Sequence, residues 1–351
     1  MGFVVSLLVL SALIFFHELG HYLAARRVGV FVEVFSIGFG KKIASFQKWG
    51  TEWSISIIPL GGYVKMKGQN DADPTQKSFD KDSYNVKTPM QKIFILLAGP
   101  AANFVLAYLL YFIIALGGPQ ILSPVIGKVL ADSPAFVAGL ESNDTIKSIN
   151  GVEITTWKEM SEIIVESQGT LDLEIERAGF LEHKVLTPKI SESTNMFNEV
   201  IQKKMIGIGS AGVSHQLELS ASETLSYATE QTIFASTMIF TGLKKLILGE
   251  VPAKELGGVI TIVKVTADAT AYGWMSVFAF AALISVNLGV LNLLPIPALD
   301  GGHIMFNLYE FFFKREVSEA IMIKLTLAGW VVLFSLMGLG VYNDINRLIA
   351  G

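Results

Sequence analysis

SALIFFHELGHYLAARRV, residues 11–28, carries His17, Glu18 and His21 in the spacing H-E-x-x-H inside an otherwise apolar stretch. Four residues are about one helical turn, so both imidazoles leave the same face and can meet at a single metal ion. Paired imidazoles suit Zn²⁺, which in a catalytic site takes a third protein ligand and keeps one position for water. Glu18, beside the first imidazole, is placed to take that water's proton. The trio reads as a hydrolytic site for one Zn²⁺.

The flanks add a second property. Residues 4–16 are apolar except for Ser6 and Ser11, and Arg26 and Arg27 end the run abruptly, the pattern of a membrane-spanning helix. At the helical rise, His17 sits about 13 Å and His21 about 7 Å inside the Arg26 boundary. Ionisable side chains at that depth are costly and mark function. The alternative is that the three polar side chains only pair with neighbouring helices.

Composition agrees with a membrane protein that has a water-exposed part: 351 residues, 51% hydrophobic, 17% charged, mean hydropathy +0.51. A net charge of −4 without a basic stripe excludes a nucleic-acid partner. With no cysteine, thiolate zinc sites and cysteine nucleophiles are excluded, so any metal is held by His, Asp or Glu. Between Arg26 and Lys92 the Lys/Arg outnumber the Asp/Glu nearly two to one. The positive-inside rule therefore puts this loop in the cytoplasm and the N-terminus outside.

Within the loop, Trp53, Ile55 and Ile57 alternate with serines before Gly61-Gly62, which predicts a β-hairpin around that glycine pair. FSIGFG, residues 35–40, predicts a tight turn ahead of it, and the polar residues 70–84 an exposed connector. Residues 93–116 form a second apolar run, with Asn103 just past Gly99-Pro100. Small residues there permit close helix contact, and Asn103 either bonds across that contact or serves the metal.

Domain boundaries follow from the change in polarity. Residues 1–121 form an N-terminal membrane part with two transmembrane helices, and residues 122–213 a soluble α+β insert. Strands are expected at 124–130, 145–149, 171–177 and 183–186, and a helix at 156–167. AGLESNDTIKSING, 138–151, resembles the core of a PDZ domain, and MIGIGS, 205–210, its carboxylate-binding loop. Ile206, Gly207, Ile208 and Gly209 are then candidates for cradling a peptide terminus with backbone N–H groups.

Residues 214–270 are expected to lie on the outer membrane surface as an amphipathic segment. An extra crossing there would reverse the next span, 275–294, whose continuation NLLPIPALDGGH brings Asp300 to the histidines. Asp300 is the best candidate for a third ligand, its alternative role being a helix N-cap. Pro295 and Pro297 break the helix where backbone can line a polar cavity. A final run, 325–341, returns outward, so residues 271–351 form a C-terminal membrane part with two transmembrane helices.

With HELGH in the first span and NLLPIPALDG after the third, the chain resembles the site-2 proteases, intramembrane zinc metalloproteases, of the bacterial RseP type. GFG, LGGYVKM, LLAGPAAN and ISVNLG extend the resemblance over nearly the whole length. It implies a polytopic α-helical membrane protein with four transmembrane helices, a membrane-associated β-hairpin over Trp53, Ile55 and Ile57, and the inserted PDZ-like domain. It also implies zinc ligands His17, His21 and Asp300, the base Glu18, and supporting roles for Asn292, Pro295 and Pro297. The setting would be a bacterial cytoplasmic membrane, with both termini and the insert on the periplasmic side. Partners would be the lipid bilayer and single-pass membrane substrates, anti-sigma factors or remnant signal peptides. Best-known members carry two tandem PDZ domains, whereas one fits here. A metal transporter and an inactive peptide-binding scaffold are the competing functions.

Overall fold

The computed structural model describes residues 2–69, 78–197 and 199–350, apart from the side chains of residues 59, 60 and 350. The first apolar run forms α1 (Gly2–Arg27), closed by its two arginines at the negative end of the helix dipole. Two long strands follow, β1 (Val32–Lys48) and β2 (Thr51–Met66), paired antiparallel. They reverse at Trp49-Gly50, both at positive φ (55° and 80°), and not at Gly61-Gly62 as expected. Gly61-Gly62 and the FSIGFG glycines lie inside the strands and let each strand fold across itself. A Cβ on Gly38 would lie 2.7 Å from the Ile58 carbonyl oxygen, so only glycine allows that approach.

As a result β1 and β2 lie as four adjacent runs. Phe35 is opposite both Val64 and Trp53, and Trp53 is opposite both Phe35 and Phe46. The run carrying Trp53 and Ile55 is therefore interior, while, among the described residues, the run 62–66 has a strand partner on one side only. Trp53 stacks on Phe35 with ring centres 4.6 Å apart and meets Tyr22 of α1 at 5.0 Å, which glues the ribbon to the first helix. Of the connector, residues 70–77 lie outside the described residues. Residues 78–84 are held: Lys67 pairs with Asp80 and Asp82 at 2.8 Å and Ser83 is fully buried.

The second apolar run is α2 (Pro89–Leu116), with Pro100 inside it. Residues Leu116–Ser220 then make a compact unit of their own. Its elements are β3 (Gln120–Leu122), β4 (Ile126–Val129), α3 (Pro134–Val137), β5 (Thr145–Ile149), β6 (Val152–Glu153), α4 (Trp157–Glu166), β7 (Leu171–Arg177), β8 (Phe180–Leu186), β9 (Lys189–Thr194), β10 (Val200–Met205), β11 (Ile208–Ser210) and β12 (Ser214–Gln216). Four strands form one sheet in the order β6-β5-β7-β8; β11 pairs with β4, β10 with β9 and β12 with β3. Helix α4 starts with a capping box, Thr156 with Glu159, and sinks Met160 and Ile164 into a core with Ile146, Leu173, Ile175 and Ile206. Asp144 is fully buried, and Arg177 donates to both its oxygens at 2.7 and 2.6 Å. Burial pushes that carboxyl up, but the guanidinium and the Glu141 N–H outweigh it and hold it below the usual carboxylate range.

The chain then rejoins the first unit with α5 (Ala221–Leu248), α6 (Val259–Ala271), α7 (Trp274–Asn292), α8 (Asp300–Phe313) and α9 (Glu319–Ala350). Helix α5 packs Ala228 and Ala235 against Ala107 and Tyr111 of α2 and Ala282 and Val286 of α7. Helix α6 lies along the start of α1, where Ser6 Oγ donates to the Val263 carbonyl at 3.2 Å. Asp344 of α9 closes its N-terminus, accepting from the N–H groups of Gly258 and Thr261 at 3.0 Å. Among the described residues, four helices, α1, α2, α7 and α9, are long and apolar enough to cross a membrane.

Candidate metal centre

Two helices distant in sequence supply the centre. Helix α1 presents His17 and His21 one turn apart with Glu18 between them, and α8 brings Asp300 in its first turn. Leu299 is the N-cap residue of α8, so Asp300 is free of the capping role. Its Oδ2 lies 3.3 Å from His17 Nε2 and 3.4 Å from His21 Nε2, and the two Nε2 atoms are 3.2 Å apart. These separations are within ion-pairing range, yet the buried Oδ2 makes no hydrogen bond of good geometry.

The triangle has the size a metal needs. Zinc–ligand bonds of about 2.0–2.1 Å at tetrahedral angles place neighbouring ligand atoms about 3.3 Å apart. Three edges of 3.2–3.4 Å match that spacing. His21 is also held in the right tautomer. His21 Nδ1 donates to the main-chain oxygen of Ile95 at 2.9 Å, which leaves Nε2 with its lone pair toward the centre. Asn103 of α2 holds its amide 3.1 Å from His17 Nδ1. Such outer partners orient ligand imidazoles and raise their basicity.

Small residues make the approach possible. A Cβ on Gly99 would lie 2.2 Å from His21 Nε2, and one on Gly20 2.1 Å from the Ala98 carbonyl oxygen. On the other side, Gly301 and Gly302 press α8 against the 293–297 main chain, with Cβ distances of 2.2 and 2.3 Å to the carbonyl oxygens of Leu294 and Ile296. Pro297 lies in that segment, Pro295 is exposed, and Asn292 ends α7 half-buried. Glu18 is half-buried, and a Cβ on Gly62 of β2 would come within 3.1 Å of its Cγ. The ribbon run 62–66 thus passes beside the acidic side chain.

Other expected site residues are placed differently. Ile55 and Ile57 are exposed, but Trp53 belongs to the packed aromatic cluster. In the insert, Ile206 is a core side chain, and its carbonyl accepts from Ala135 while that of Gly207 accepts from Leu130, each at 2.9 Å. Gly207 holds φ +84° with Ser133 against it, and Ile208 and Gly209 pair with Val129 and Lys128. Nothing in the sequence marks Ile95 or Gly20, and Gly62 reads there as a turn residue and not as a neighbour of Glu18. A main-chain acceptor carries no residue-type signal; Gly99-Pro100 was the visible trace of this contact.

A family model described as Peptidase family M50 matches residues 5–336. The chain is 47% identical to a Campylobacter jejuni protein named "Putative zinc metalloprotease", over 99% of this chain and 94% of that one. It is 43% identical to a Helicobacter pylori protein of the same name, over 99% and 100%. It is 34% identical to metalloprotease MmpA of Caulobacter vibrioides, over 98% and 95%.

Proposed function

The chain belongs to peptidase family M50, the site-2 protease family, and is a zinc-dependent metalloprotease and an integral membrane protein; from that premise we propose that it cuts peptide bonds within the transmembrane segments of other membrane proteins. The observation that carries this reading is the 3.2–3.4 Å triangle of His17, His21 and Asp300, assembled where the long apolar α1 meets α8. His17, His21 and Asp300 would hold the zinc, which supplies Lewis-acid polarisation of the scissile carbonyl and acidification of water. Glu18 takes the proton of the attacking water and passes it to the leaving amine nitrogen. Asn103 and the Ile95 carbonyl keep the imidazoles aimed.

A substrate helix resists this chemistry because its carbonyls are tied up in hydrogen bonds that lipid cannot replace. It must be unwound and held extended. The run 62–66, with one strand partner and Glu18 beside it, suits edge pairing with such a segment. The ribbon would lie at the membrane face beside the site, and the insert, read as a single PDZ-like domain, would sort substrates outside. We take the membrane to be the bacterial cytoplasmic one, with the site near its inner side. Substrates of the anti-sigma-factor or remnant-signal-peptide kind fit equally.

Glu18→Gln and Asp300→Asn separate the roles. Glu18→Gln should keep its zinc while turnover falls at least about 10²-fold, the usual worth of a general base. Asp300→Asn should lose zinc, because a neutral amide replaces the carboxylate. Zinc content and cleavage of a membrane-embedded peptide by both purified variants are the measurements. An Asp300→Asn protein with full zinc and normal cleavage would remove Asp300 from the site.

A further inference from the structure

The centre asks for a tolerance that its own residues do not supply. Ligand separations of 3.2–3.4 Å hold only if α8 keeps a fixed attitude toward α1 and α2. At its near end α8 is seated by Gly301 and Gly302 against the 293–297 main chain. That contact fixes a point. It does not fix a direction, and a helix of 14 residues tilting about it would re-aim the side chain of Asp300, the residue next to the pivot.

The far end carries an ion pair to α2. Lys92 Nζ lies 3.1 Å from Oε2 and 3.5 Å from Oε1 of Glu310, with side chains 8% and 21% exposed. Glu310 follows Asp300 by ten residues, about 15 Å along the helix. Lys92 precedes Ile95 by three, and Ile95 is the residue whose carbonyl holds His21. One turn of α2 therefore touches both sides of the centre: His21 through Ile95 and the helix of Asp300 through Lys92.

We propose that the Lys92–Glu310 ion pair is a clamp that sets the approach of Asp300 to the two imidazoles, making Lys92 and Glu310 positioning residues for the metal centre. The proposal rests on the assignment of His17, His21 and Asp300 as zinc ligands. Neutralising a buried charge is a weaker account of the pair. Lys314, which caps α8 four residues beyond Glu310, lines the same surface depression with Thr88, Pro89 and Met90, so a second cation is at hand. Among the described residues, Lys92–Glu310 is the ion pair that joins α2 to α8.

The test uses the full-length purified protein with Lys92→Met, Glu310→Gln, Lys92→Arg and the exchanged pair Lys92→Glu/Glu310→Lys. Zinc affinity is read by chelator competition, and ligand geometry by the visible spectrum of the cobalt-substituted protein. Each charge-removing variant should bind zinc about tenfold more weakly or worse, the usual effect of losing a group that orients metal ligands, with altered cobalt bands. Lys92→Arg and the exchanged pair should recover most of both. Single variants with unaltered affinity and cobalt bands would overturn the clamp. So would an exchanged pair that folds but binds zinc at least about tenfold more weakly than the unaltered protein, an outcome that decides even if the singles fail to fold. The underlying assignment has its own control: it fails if Asp300→Asn binds zinc as tightly as the unaltered protein, whatever happens at Lys92.

Discussion

Asn103 holds its side-chain amide 3.1 Å from Nδ1 of His17, 86 positions away in sequence, and is completely buried. Were Nε2 to hold a cation, Nδ1 would carry the hydrogen, and the amide oxygen is the end of Asn103 that can accept it. Leaving that buried N–H without an acceptor would cost roughly 1–3 kcal/mol. Ser285 Oγ, donating to the Asn103 main-chain carbonyl at 2.8 Å, ties this point of α2 to α7.

Asn103→Leu should therefore leave a folded protein that binds zinc about 10- to 100-fold more weakly, the range found for outer partners of ligand histidines. Asn103→Asp, which keeps the acceptor, should bind closer to the unaltered protein. Chelator competition on both measures this. Equal, unaltered affinity in the two would mean that the amide only fills space.

Gly99 gives a sharper steric case. A Cβ there would stand 2.2 Å from His21 Nε2 and 2.9 Å from His17 Cε1, closer than non-bonded atoms come. Gly99→Ala should raise helix propensity by up to about 1 kcal/mol and still abolish zinc binding, because the ligand nitrogens must move. Gly338→Ala on α9, with nothing within 4 Å, should keep zinc and cleavage. Zinc content of the two purified variants decides it; a Gly99→Ala protein with one tightly bound zinc would show that the imidazoles are not fixed where the structure has them.

How much of this could be read beforehand depends on how local the signal is. The four long helices follow from apolar runs, and the pairing of His17 with His21 from helical periodicity alone. The helix expected at 156–167 lies within a residue of α4's ends. Asp300 needs a long-range argument, the direction in which the third span must run to bring it to the histidines. What escaped was set by partners distant in sequence. Trp49-Gly50 makes the chain reversal with two positive φ angles, but Trp is not a turn-forming residue by type, whereas Gly61-Gly62 looks like a turn and is strand. Helices α6 and α8 are short and end at contacts with α1, α9 and the 293–297 segment. The β9–β10 hairpin alternates weakly and buries little, so its pattern is faint.

The ribbon geometry revises where a substrate would be held. Ile55 is opposite both Ile37 and Ala44, so its run has no open edge, and a proline there should damage the sheet itself. The open side is the run 62–66. Along a strand, successive N–H groups point to opposite sides, so of Tyr63→Pro and Val64→Pro one removes an outward donor and the other an inward one. The outward loss takes away one hydrogen bond to substrate, worth about 0.5–1.5 kcal/mol, and should slow cleavage of a stable substrate helix roughly three- to tenfold. A substrate helix weakened by Gly or Pro needs less help to stay extended and should be slowed less. Ile55→Pro should slow both substrates equally. The measurement is the ratio of the two cleavage rates for each folded, zinc-loaded variant. If that ratio is the same for Tyr63→Pro, Val64→Pro and the unaltered protein, the edge does not hold substrate.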